Sequence, residues 1–477
     1  MKGSPARIRK VDLASDALLY FVHIPKTAGT SMRRYLDRYF LPQQVFPPEI
    51  TVGPIHHDNG LLDCYADGAL SHFRLLVGHH DRLHLGSFLQ SRQHPTHHLT
   101  VLRDPIDQLL SEYKMLRSDP RYPFHEQHKN LSLDAFLDHP DFPWIQAGNR
   151  QIGHLMAQLG EYLPTDFEDG GFQLVRAWLE TFAAVGIHED LERSLQLFSY
   201  IFGWLAPEEV PHLNRAQIEA PDVTDRQLAR LEELTVVDRK LYDWARNRFQ
   251  RQYADMLSEL GLPAESGING PRLHQPDGVD PRRQVRSAIN GAADLRRQER
   301  ISREEDGSLF EVIETDGFHP AHLNREWRRY IQWIGPRPEA TVKLAFRRAT
   351  DCLLYLRVDY ALKKKMLDHF TVRLNGQPIP LQWTPAGAAH HFVGFVPRQL
   401  ISQSRGSTVL TLKTSSVASP AELHPGATDT EVKCLAISSI DFRPAVAAEP
   451  LDAPARRRMP VSDQPIFQLP KSTRRAA

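Results

Sequence analysis

The residues best suited to chemistry lie in the stretch HIPKTAGTS at 23–31. Lys26 carries a full positive charge. The hydroxyl donors of the stretch are Thr27, Thr30 and Ser31. Where such a loop opens a helix, backbone N–H groups and the positive helix end converge on one point, which favours an anion such as a phosphate. The stretch is not a Walker A loop, because Lys26 precedes its single glycine, Gly29.

Short apolar runs followed by helical patterns predict the elements that position these residues. The predicted strands lie at 18–24, 73–77, 97–103 and 182–187. Strands that alternate with helices indicate an α/β fold with a doubly wound parallel sheet flanked by helices, whose ligands bind at the carboxyl ends of the strands. Lys26, His79 and Arg103 all follow such ends.

Arg103 and Ser111 form a second candidate site for an anion, in the stretch TVLRDPIDQLLSEY at 100–113. Pro105 occupies the favoured first position of a helix that carries an apolar stripe. Ser111 would lie about 9 Å along the axis from Pro105. An arginine can grip a phosphate at two points, and a serine hydroxyl adds a short donor.

The two stretches resemble the 5′-phosphosulfate loop and the 3′-phosphate motif of sulfotransferases that use 3′-phosphoadenosine-5′-phosphosulfate (PAPS). The branch concerned includes heparan sulfate 2-O-sulfotransferase and many bacterial relatives. The resemblance covers residues 17–262 and implies a P-loop-type scaffold. The residues that it assigns to PAPS are Lys26, Thr27, Ala28, Gly29, Thr30, Ser31, Arg103 and Ser111. Lys26 would also neutralise charge on the leaving phosphate oxygen.

The resemblance also implies a histidine general base after the second strand. Gly78-His79 matches the glycine and histidine that these sulfotransferases place there, with His80 as the second choice. A neutral histidine titrates near working pH, which suits a general base. The alternatives are that these histidines cap the strand end or bind metal. Adjacent histidines on an extended chain point to opposite faces, so we expect no metal site there. A sulfuryl group carries less charge than a phosphoryl group, so we also expect transfer to need no metal.

Two further patterns lie in the amino-terminal half. Asn149 and Gln151 resemble an Asn-x-Gln element that is common in bacterial members of the family. Thr224 and Gln227 have the spacing of a capping box, and they open a long amphipathic helix that we expect to continue to Phe249.

The second half of the chain predicts a different architecture. Residues 263–307 have the composition of a linker rich in Arg and Pro with one short helical segment. Its arginines could contact a polyanionic glycan, but we expect them to be solvated. Residues 308–445 contain six alternating stretches and an Asn375-Gly376 turn, which predict an antiparallel β-sandwich of jelly-roll type. The stretch at 318–335 resembles a β-rich accessory module found beside bacterial glycan-modifying enzymes. Residues 446–477 are expected to be disordered.

Composition excludes several classes of protein. The 477 residues include 58 Lys and Arg against 58 Asp and Glu, whereas a nucleic-acid binder usually has a clearly basic domain. No apolar run reaches 18 residues, so we expect no transmembrane helix. The first 16 residues lack the apolar core of a signal peptide, and three scattered cysteines suit a reducing compartment, so we expect a cytoplasmic protein.

The sequence therefore predicts a PAPS-dependent sulfotransferase that acts by in-line displacement on a hydroxyl of a carbohydrate, with a β-sandwich that helps to hold an extended acceptor. One alternative is a P-loop nucleotide phosphotransferase, which would need a Walker-type loop and a carboxylate for magnesium. Another is a catalytically silent protein that binds nucleotide and glycan. The sugar, the sulfated position and the oligomeric state stay open.

Overall fold

The structure is a computed structural model, and it describes part of the chain. The described residues are 8–13, 17–45, 73–78, 95–120, 125–138, 148–159, 170–210, 222–263, 281–302, 309–324, 329–386, 389–401, 407–424 and 426–445. The candidate bases His79 and His80, the linker residues 264–280 and the tail 446–477 lie outside these ranges.

A parallel sheet forms the centre of the amino-terminal half. Its strands are β1 (Leu18–Val22), β2 (Leu75–Gly78), β3 (Thr96–Leu102) and β4 (Ala184–Ile187). They lie in the order β2-β1-β3-β4, and each neighbouring pair is parallel. Every residue of β1 is buried, as the apolar run predicts for a strand covered on both faces. The parallel sheet of an α/β fold is therefore confirmed.

Helices flank this sheet and precede a second region. In the described residues they are α1 (Gly29–Leu36), α2 (Pro105–Ser118), α3 (His125–His128), α4 (Leu133–Leu137), α5 (Arg150–Leu159), α6 (Phe172–Glu180), α7 (Leu191–Phe202), α8 (Asp225–Leu234), α9 (Val236–Glu259), α10 (Pro281–Ser302), α11 (Lys364–Asp368) and α12 (Pro420–Leu423). Residues of α1, α7 and α9 share one apolar core with the strands. Within this described set, no helix combines the length and the apolar character needed to cross a bilayer.

The helix predicted to run from Thr224 to Phe249 is two helices. The capping box at Thr224 and Gln227 opens α8 as predicted. The chain then leaves helical geometry at Thr235, whose φ is −118°. The N–H groups of Val237 and Asp238 donate instead to the side chain of Asn149, at 2.7 and 2.9 Å. A cap supplied from a distant segment thus begins a new helix.

The prediction of a solvated linker with one short helical segment is wrong for residues 281–302. These residues form α10, a helix of 22 residues. Val285 and Ile289 are buried in the core around the parallel sheet. Their spacing of four positions places them on one face, so this helix packs against the fold along an apolar stripe.

Two arginines of α10 bind residues of other elements. Arg296 forms an ion pair with Asp12 at 2.9 Å and donates to the carbonyl oxygen of Tyr200 at 2.9 Å. Arg300 pairs with Glu311 at 2.6 Å. Side chains with these partners join the amino-terminal segment, α7 and the first strand of the second half.

Two antiparallel sheets form the second half, which we call the β region (residues 309–445). The strands are β5 (Phe310–Asp316), β6 (His322–Asn324), β7 (Arg329–Trp333), β8 (Glu339–Phe346), β9 (Cys352–Ala361), β10 (Thr371–Leu374), β11 (Gln377–Pro378), β12 (Leu381–Ala386), β13 (Ala389–Val396), β14 (Thr408–Lys413) and β15 (Leu435–Pro444). One sheet has the order β11-β10-β14-β8-β5 and the other β12-β13-β9-β15-β7-β6. The six predicted strands correspond to β8, β9, β10, β13, β14 and β15.

The two sheets enclose one hydrophobic core. Val342 and Leu344 of one sheet belong to the same buried cluster as Leu354 and Leu356 of the other. This is the layer arrangement of a sandwich, while the jelly-roll connectivity stays a prediction. The predicted turn at Asn375-Gly376 joins β10 to β11, with positive φ at both residues as a tight hairpin turn requires.

Candidate functional site

The loop between β1 and α1 has an unusual backbone, and we call residues 23–31 the anion loop. Lys26 and Ala28 have φ values of 66° and 71°. The left-handed conformation costs a residue with a side chain about 1–2 kcal/mol. The first helical hydrogen bond joins Met32 N–H to Ala28 O, so the N–H groups of residues 29–31 open the helix. Strain of this kind collects at functional sites, where it shapes a concave set of N–H groups.

Gly29 is required by its neighbour His23. A Cβ added at Gly29 would overlap the imidazole ring of His23. That ring stacks on Phe21 of β1, with centroids 5.6 Å apart. The glycine therefore lets α1 begin close against the end of the strand.

The hydroxyl groups of the anion loop have different surroundings. Thr27 is fully buried, and its hydroxyl donates to the carbonyl oxygen of Ile24 at 2.9 Å. Without a nucleotide this hydroxyl is thus bonded within the protein, and the assignment of Thr27 to the nucleotide stays a prediction. Ser31 is buried at 5% exposure, whereas Thr30 is exposed at the surface of the loop.

The structure brings the two predicted anion sites together. Arg103 follows β3, which lies beside β1, and its Nη1 donates to the carbonyl oxygen of Lys26 at 3.1 Å. Its Nε is buried and has no hydrogen-bond partner among the described residues. An orphaned guanidinium N–H beside a strained loop is suited to an anion, because a buried donor without a partner is costly.

Helix α2 presents polar side chains beside its apolar stripe. Gln108 is buried, and its Nε2 donates to the carbonyl oxygen of Pro25 at 2.8 Å. Glu112 is buried one turn later and pairs with Arg150 at 2.7 Å. Ser111 lies between them in sequence and is half-buried. The sequence analysis does not identify Gln108 and Glu112. The signal that could have found them is a pair of polar residues four positions apart on the helix.

The anion loop is electropositive and partly shielded from water. Burial lowers the pKa of Lys26; the charge of Arg103 lowers it further, while the carboxylates of Glu112 and Asp119 oppose this. Burial likewise lowers the pKa of Arg103, against the charges of Asp107, Glu189 and Asp104. Two half-buried cations side by side would gain from a bound anion, which favours the charged form of both.

Gln151 holds the backbone of Arg103 on both sides. Its Oε1 accepts from Arg103 N–H at 3.0 Å, and its Nε2 donates to Arg103 O at 2.7 Å. Asp238 fixes Gln151 in turn, since its carboxylate accepts from the N–H groups of Gln151 and Ile152 at 2.9 and 2.8 Å. Asn149, just before α5, accepts from N–H groups at the start of α9. Asp238, near the start of α9, accepts from N–H groups at the start of α5, so each helix is capped by the other segment. The Asn-x-Gln element thus positions Arg103.

A second set of contacts holds the residue after Arg103. Asp104 caps α2 by accepting from Ile106 N–H at 3.0 Å, and it pairs with Arg239 at 2.7 Å. Glu189 accepts from Asp104 N–H at 2.9 Å and from the hydroxyl of Tyr242 at 2.7 Å. Burial alone would raise the pKa of Glu189, but its hydrogen bonds lower it to about 2. We call Asp104, Gln151, Glu189, Asp238 and Arg239 the Arg103 network.

The predicted bases fall just beyond a described strand. Gly78 ends β2 and pairs with Val22 of β1. His79 and His80 come next in sequence and lie outside the described residues. Within the described residues, no group of three His, Cys, Asp or Glu side chains converges in a way that could hold a metal ion.

Comparison with known proteins gives relatives that match about half of the chain. No family model matches the chain. It is 25% identical over 292 residues to heparan-sulfate 6-O-sulfotransferase 2 of Gallus gallus, which covers 52% of this chain and 71% of that protein. The human protein of the same name is also 25% identical, but only 47% of its length is covered. Human heparan-sulfate 6-O-sulfotransferase 1 is 23% identical over 288 residues, or 69% of its length.

These relatives confirm the resemblance to carbohydrate sulfotransferases, and they are 6-O- rather than 2-O-sulfotransferases. They do not favour the phosphotransferase or the silent binding protein. A solved structure, mouse sulfotransferase SULT7A1 complexed with PAP, aligns over 46% of this chain and 65% of its own with 16% identity. Its TM-score is 0.21, which is too low to carry an argument.

Proposed function

Because about half of this chain is similar to heparan-sulfate sulfotransferases, we propose that the protein transfers the sulfuryl group of PAPS to a hydroxyl group of a glycan. The single observation that carries the proposal is the hydrogen bond from Arg103 Nη1 to the carbonyl oxygen of Lys26. It joins the two stretches whose resemblance assigns them to opposite ends of one nucleotide. It also lies where the carboxyl ends of β1 and β3 adjoin, the place where ligands bind in such sheets.

The donor would lie between the anion loop and Arg103. Lys26 and the N–H groups of residues 29–31 would hold the 5′-phosphosulfate, with the partial positive charge of α1 behind them. Arg103 and Ser111 would hold the 3′-phosphate. The orphaned Nε of Arg103 supports this assignment, because a phosphate oxygen would satisfy it.

Transfer would proceed by in-line displacement. The acceptor oxygen attacks sulfur, the bond between sulfur and the phosphate oxygen breaks, and the hydroxyl proton passes to a base. The leaving group is 3′-phosphoadenosine-5′-phosphate (PAP), whose developing negative charge Lys26 and the loop N–H groups would stabilise. A sulfuryl group carries less charge than a phosphoryl group, so we propose that no metal takes part.

We assign the base to His79, with His80 as the second choice. The support is the end of β2, because Gly78 pairs with Val22 and the chain leaves the sheet beside the strand that leads into the anion loop. A neutral imidazole there would take the proton from the glycan hydroxyl group at working pH.

The acceptor is proposed from the relatives. Because they are named for heparan sulfate and for its 6-O position, a heparan-type polysaccharide is the first acceptor to test. We retain the proposal that the β region helps to hold an extended glycan.

The test is transfer of ³⁵S-sulfate from PAPS to a panel of polysaccharides that includes heparan sulfate and desulfated heparin. Lys26→Ala should lower kcat about 10²- to 10³-fold. His79→Ala should lower it about 10²- to 10⁴-fold while PAP still binds in a calorimeter. Lys129→Ala is the matched control, because Lys129 is a surface lysine paired with Glu126 and should leave transfer unchanged.

The outcomes separate the parts of the proposal. Absence of PAP binding by the wild-type protein would reject it. Binding of PAP without transfer to any polysaccharide of the panel would favour the silent alternative. Loss of transfer in His80→Ala but not in His79→Ala would move the base by one residue.

A further inference from the structure

The far end of α1 meets the β region, although its near end opens the anion loop. Asp37 caps the carboxyl end of α1 and is only 4% exposed. Its Oδ1 accepts from Nε of Arg33 at 2.7 Å, and its Oδ2 accepts from the N–H of Ala321 at 2.9 Å. Ala321 lies in the segment between β5 and β6. One buried carboxylate therefore ties the helix to the second half of the chain.

Backbone groups just beyond α1 are satisfied by β5. Thr315 N–H donates to Arg38 O at 2.7 Å, and the Thr315 hydroxyl donates to Asp37 O at 3.1 Å. The end of a helix leaves carbonyl groups without intrahelical partners, and burial makes such partners necessary. Here a strand of the β region supplies them.

Side chains extend this contact. Arg33 donates to the Tyr330 hydroxyl at 3.2 Å, and its guanidinium lies 4.9 Å from the centre of the Tyr330 ring. Arg38 forms an ion pair with Glu314, which also pairs with Lys343 at 3.0 Å. Charged groups with several partners and little exposure hold a fixed geometry better than isolated surface pairs.

The apolar cores interlock at the same place. Ala321 and Tyr330 come from the β region but belong to the core around the parallel sheet. Leu41, which follows α1, belongs to the core of the β region. Gln43 adds a hydrogen bond to Ile440 O at 2.7 Å. The contact is therefore part of both cores rather than a loose junction between an enzyme and an appendage.

We propose that the β region is part of the framework of the donor site, and that Asp37 is the positioning residue through which it acts. Helix α1 has eight residues and is about 12 Å long, so a shift at one end is transmitted to the other. Its near end is closely fitted, because Gly29 leaves no room against His23. Fixing Asp37 thus fixes the N–H groups of residues 29–31. The identity of the anion rests on the proposed function, whereas the positioning does not.

Two variants and one control test this. Asp37→Asn removes the charge that Arg33 and Ala321 share. Thr315→Val removes only the hydroxyl that bonds to Asp37 O. This variant tests the same contact if Asp37→Asn fails to fold. The control is Asp316→Asn, which lies next to Thr315 on β5 and breaks an exposed ion pair with Arg337.

The first readout is hydrogen exchange of the peptide 23–36 in the absence of nucleotide. Both test variants should exchange faster there than the wild type, by about fivefold for Thr315→Val, while Asp316→Asn should match the wild type. The second readout is the Kd for PAP, which should rise about fivefold in Thr315→Val and more than tenfold in Asp37→Asn.

The opposite result has a clear form. If exchange increases in β5 of Thr315→Val but the peptide 23–36 and the Kd for PAP do not change, the contact is merely structural and the inference is wrong. Because hydrogen exchange needs no ligand, it decides the inference even if the wild-type protein binds no PAP. That last result would reject the proposed function alone.

Discussion

The anion loop and the Arg103 network are built in opposite ways. The loop is one continuous stretch, shaped by its own left-handed residues and by a hydrogen bond from Thr27 to Ile24 O. The network collects residues from four segments, and the hydrogen bonds that join these segments span from 48 to 135 positions of sequence. The sequence therefore predicts all the residues of a local motif. For a site made of distant segments, it predicts only the residue expected to contact the ligand.

The anion loop depends on the residues around Arg103 more than they depend on the loop. Arg103 donates to Lys26 O, and Gln108 of α2 donates to Pro25 O. No bond of the described residues runs from the side chain of Lys26 to the network. The network therefore supports the loop, and we expect damage behind Arg103 to reach both ends of the nucleotide, while damage within the loop stays local.

The largest effect should come from Gly29→Ala. Its Cβ would overlap the His23 ring, so α1 must move and the loop N–H groups with it. We expect the Kd for PAP to rise on the order of 100-fold. Gly291→Ala is the control, because a Cβ at Gly291 of α10 meets nothing within 4 Å.

A second substitution sharpens this result. In His23→Ala/Gly29→Ala the obstructing ring is gone, and PAP binding should recover by about tenfold or more. A double variant as weak as Gly29→Ala would show that the glycine is needed for backbone conformation rather than for space.

Arg103→Lys should have the next largest effect. The variant keeps the charge but loses the planar fork and the Nε donor, so we expect the Kd for PAP to rise roughly 10- to 100-fold. Arg176→Lys, on an exposed pair with Glu180, should not change it. A change of less than twofold in Arg103→Lys would mean that charge alone holds the 3′-phosphate.

Gln151→Leu tests the dispersed part of the comparison, because the Gln151 side chain bonds to the backbone of Arg103 and not to its guanidinium. The variant leaves two backbone groups of Arg103 without partners, and we expect about 1–3 kcal/mol lower free energy of unfolding and about tenfold weaker PAP binding. Gln158→Leu is the control on the same helix; it loses a bond from Tyr20 at 2.6 Å. It should lower stability without altering the Kd for PAP. Equal weakening in both would refute a positioning role.

Whether the sequence predicts a feature depends on whether its contacts are local or distant in sequence. Lys26 and the spacing of Arg103 to Ser111 were visible because each depends on neighbours in sequence. The capping box at Thr224 and the turn at Asn375-Gly376 were predicted for the same reason. Local propensity and strand ends suffice for such features.

Features that depend on distant partners were missed. The break at Thr235 arises because Asn149, 88 positions away from Val237, caps the next helix. The composition of α10 predicts a linker with solvated arginines, because the partner of Arg296, Asp12, is more than 280 positions away. The contact of Thr315 with Asp37 has no sequence signal of its own, since both residue types are ordinary in a strand and at a helix end.

The smallest effect should come from the pH dependence of Asp238, which acts on Arg103 only through Gln151. Burial raises its pKa to about 6, against the lowering effect of hydrogen bonds from the N–H groups of Gln151 and Ile152. The folded state then binds a proton more tightly than the unfolded state, whose carboxyl titrates near 3.8. Its contribution to stability is therefore largest at low pH and is lost as the pH rises through 6.

Asp238→Asn removes this titration, so the comparison of two pH values isolates it. Between pH 7 and pH 5 the wild type should gain about 1.3 kcal/mol in free energy of unfolding relative to Asp238→Asn, measured by urea denaturation. The same difference at both pH values would mean that Asp238 stays ionised because its two N–H donors outweigh burial. In that case the cap on α5 would be an anion at all working pH values, and the support of Arg103 would not vary with pH.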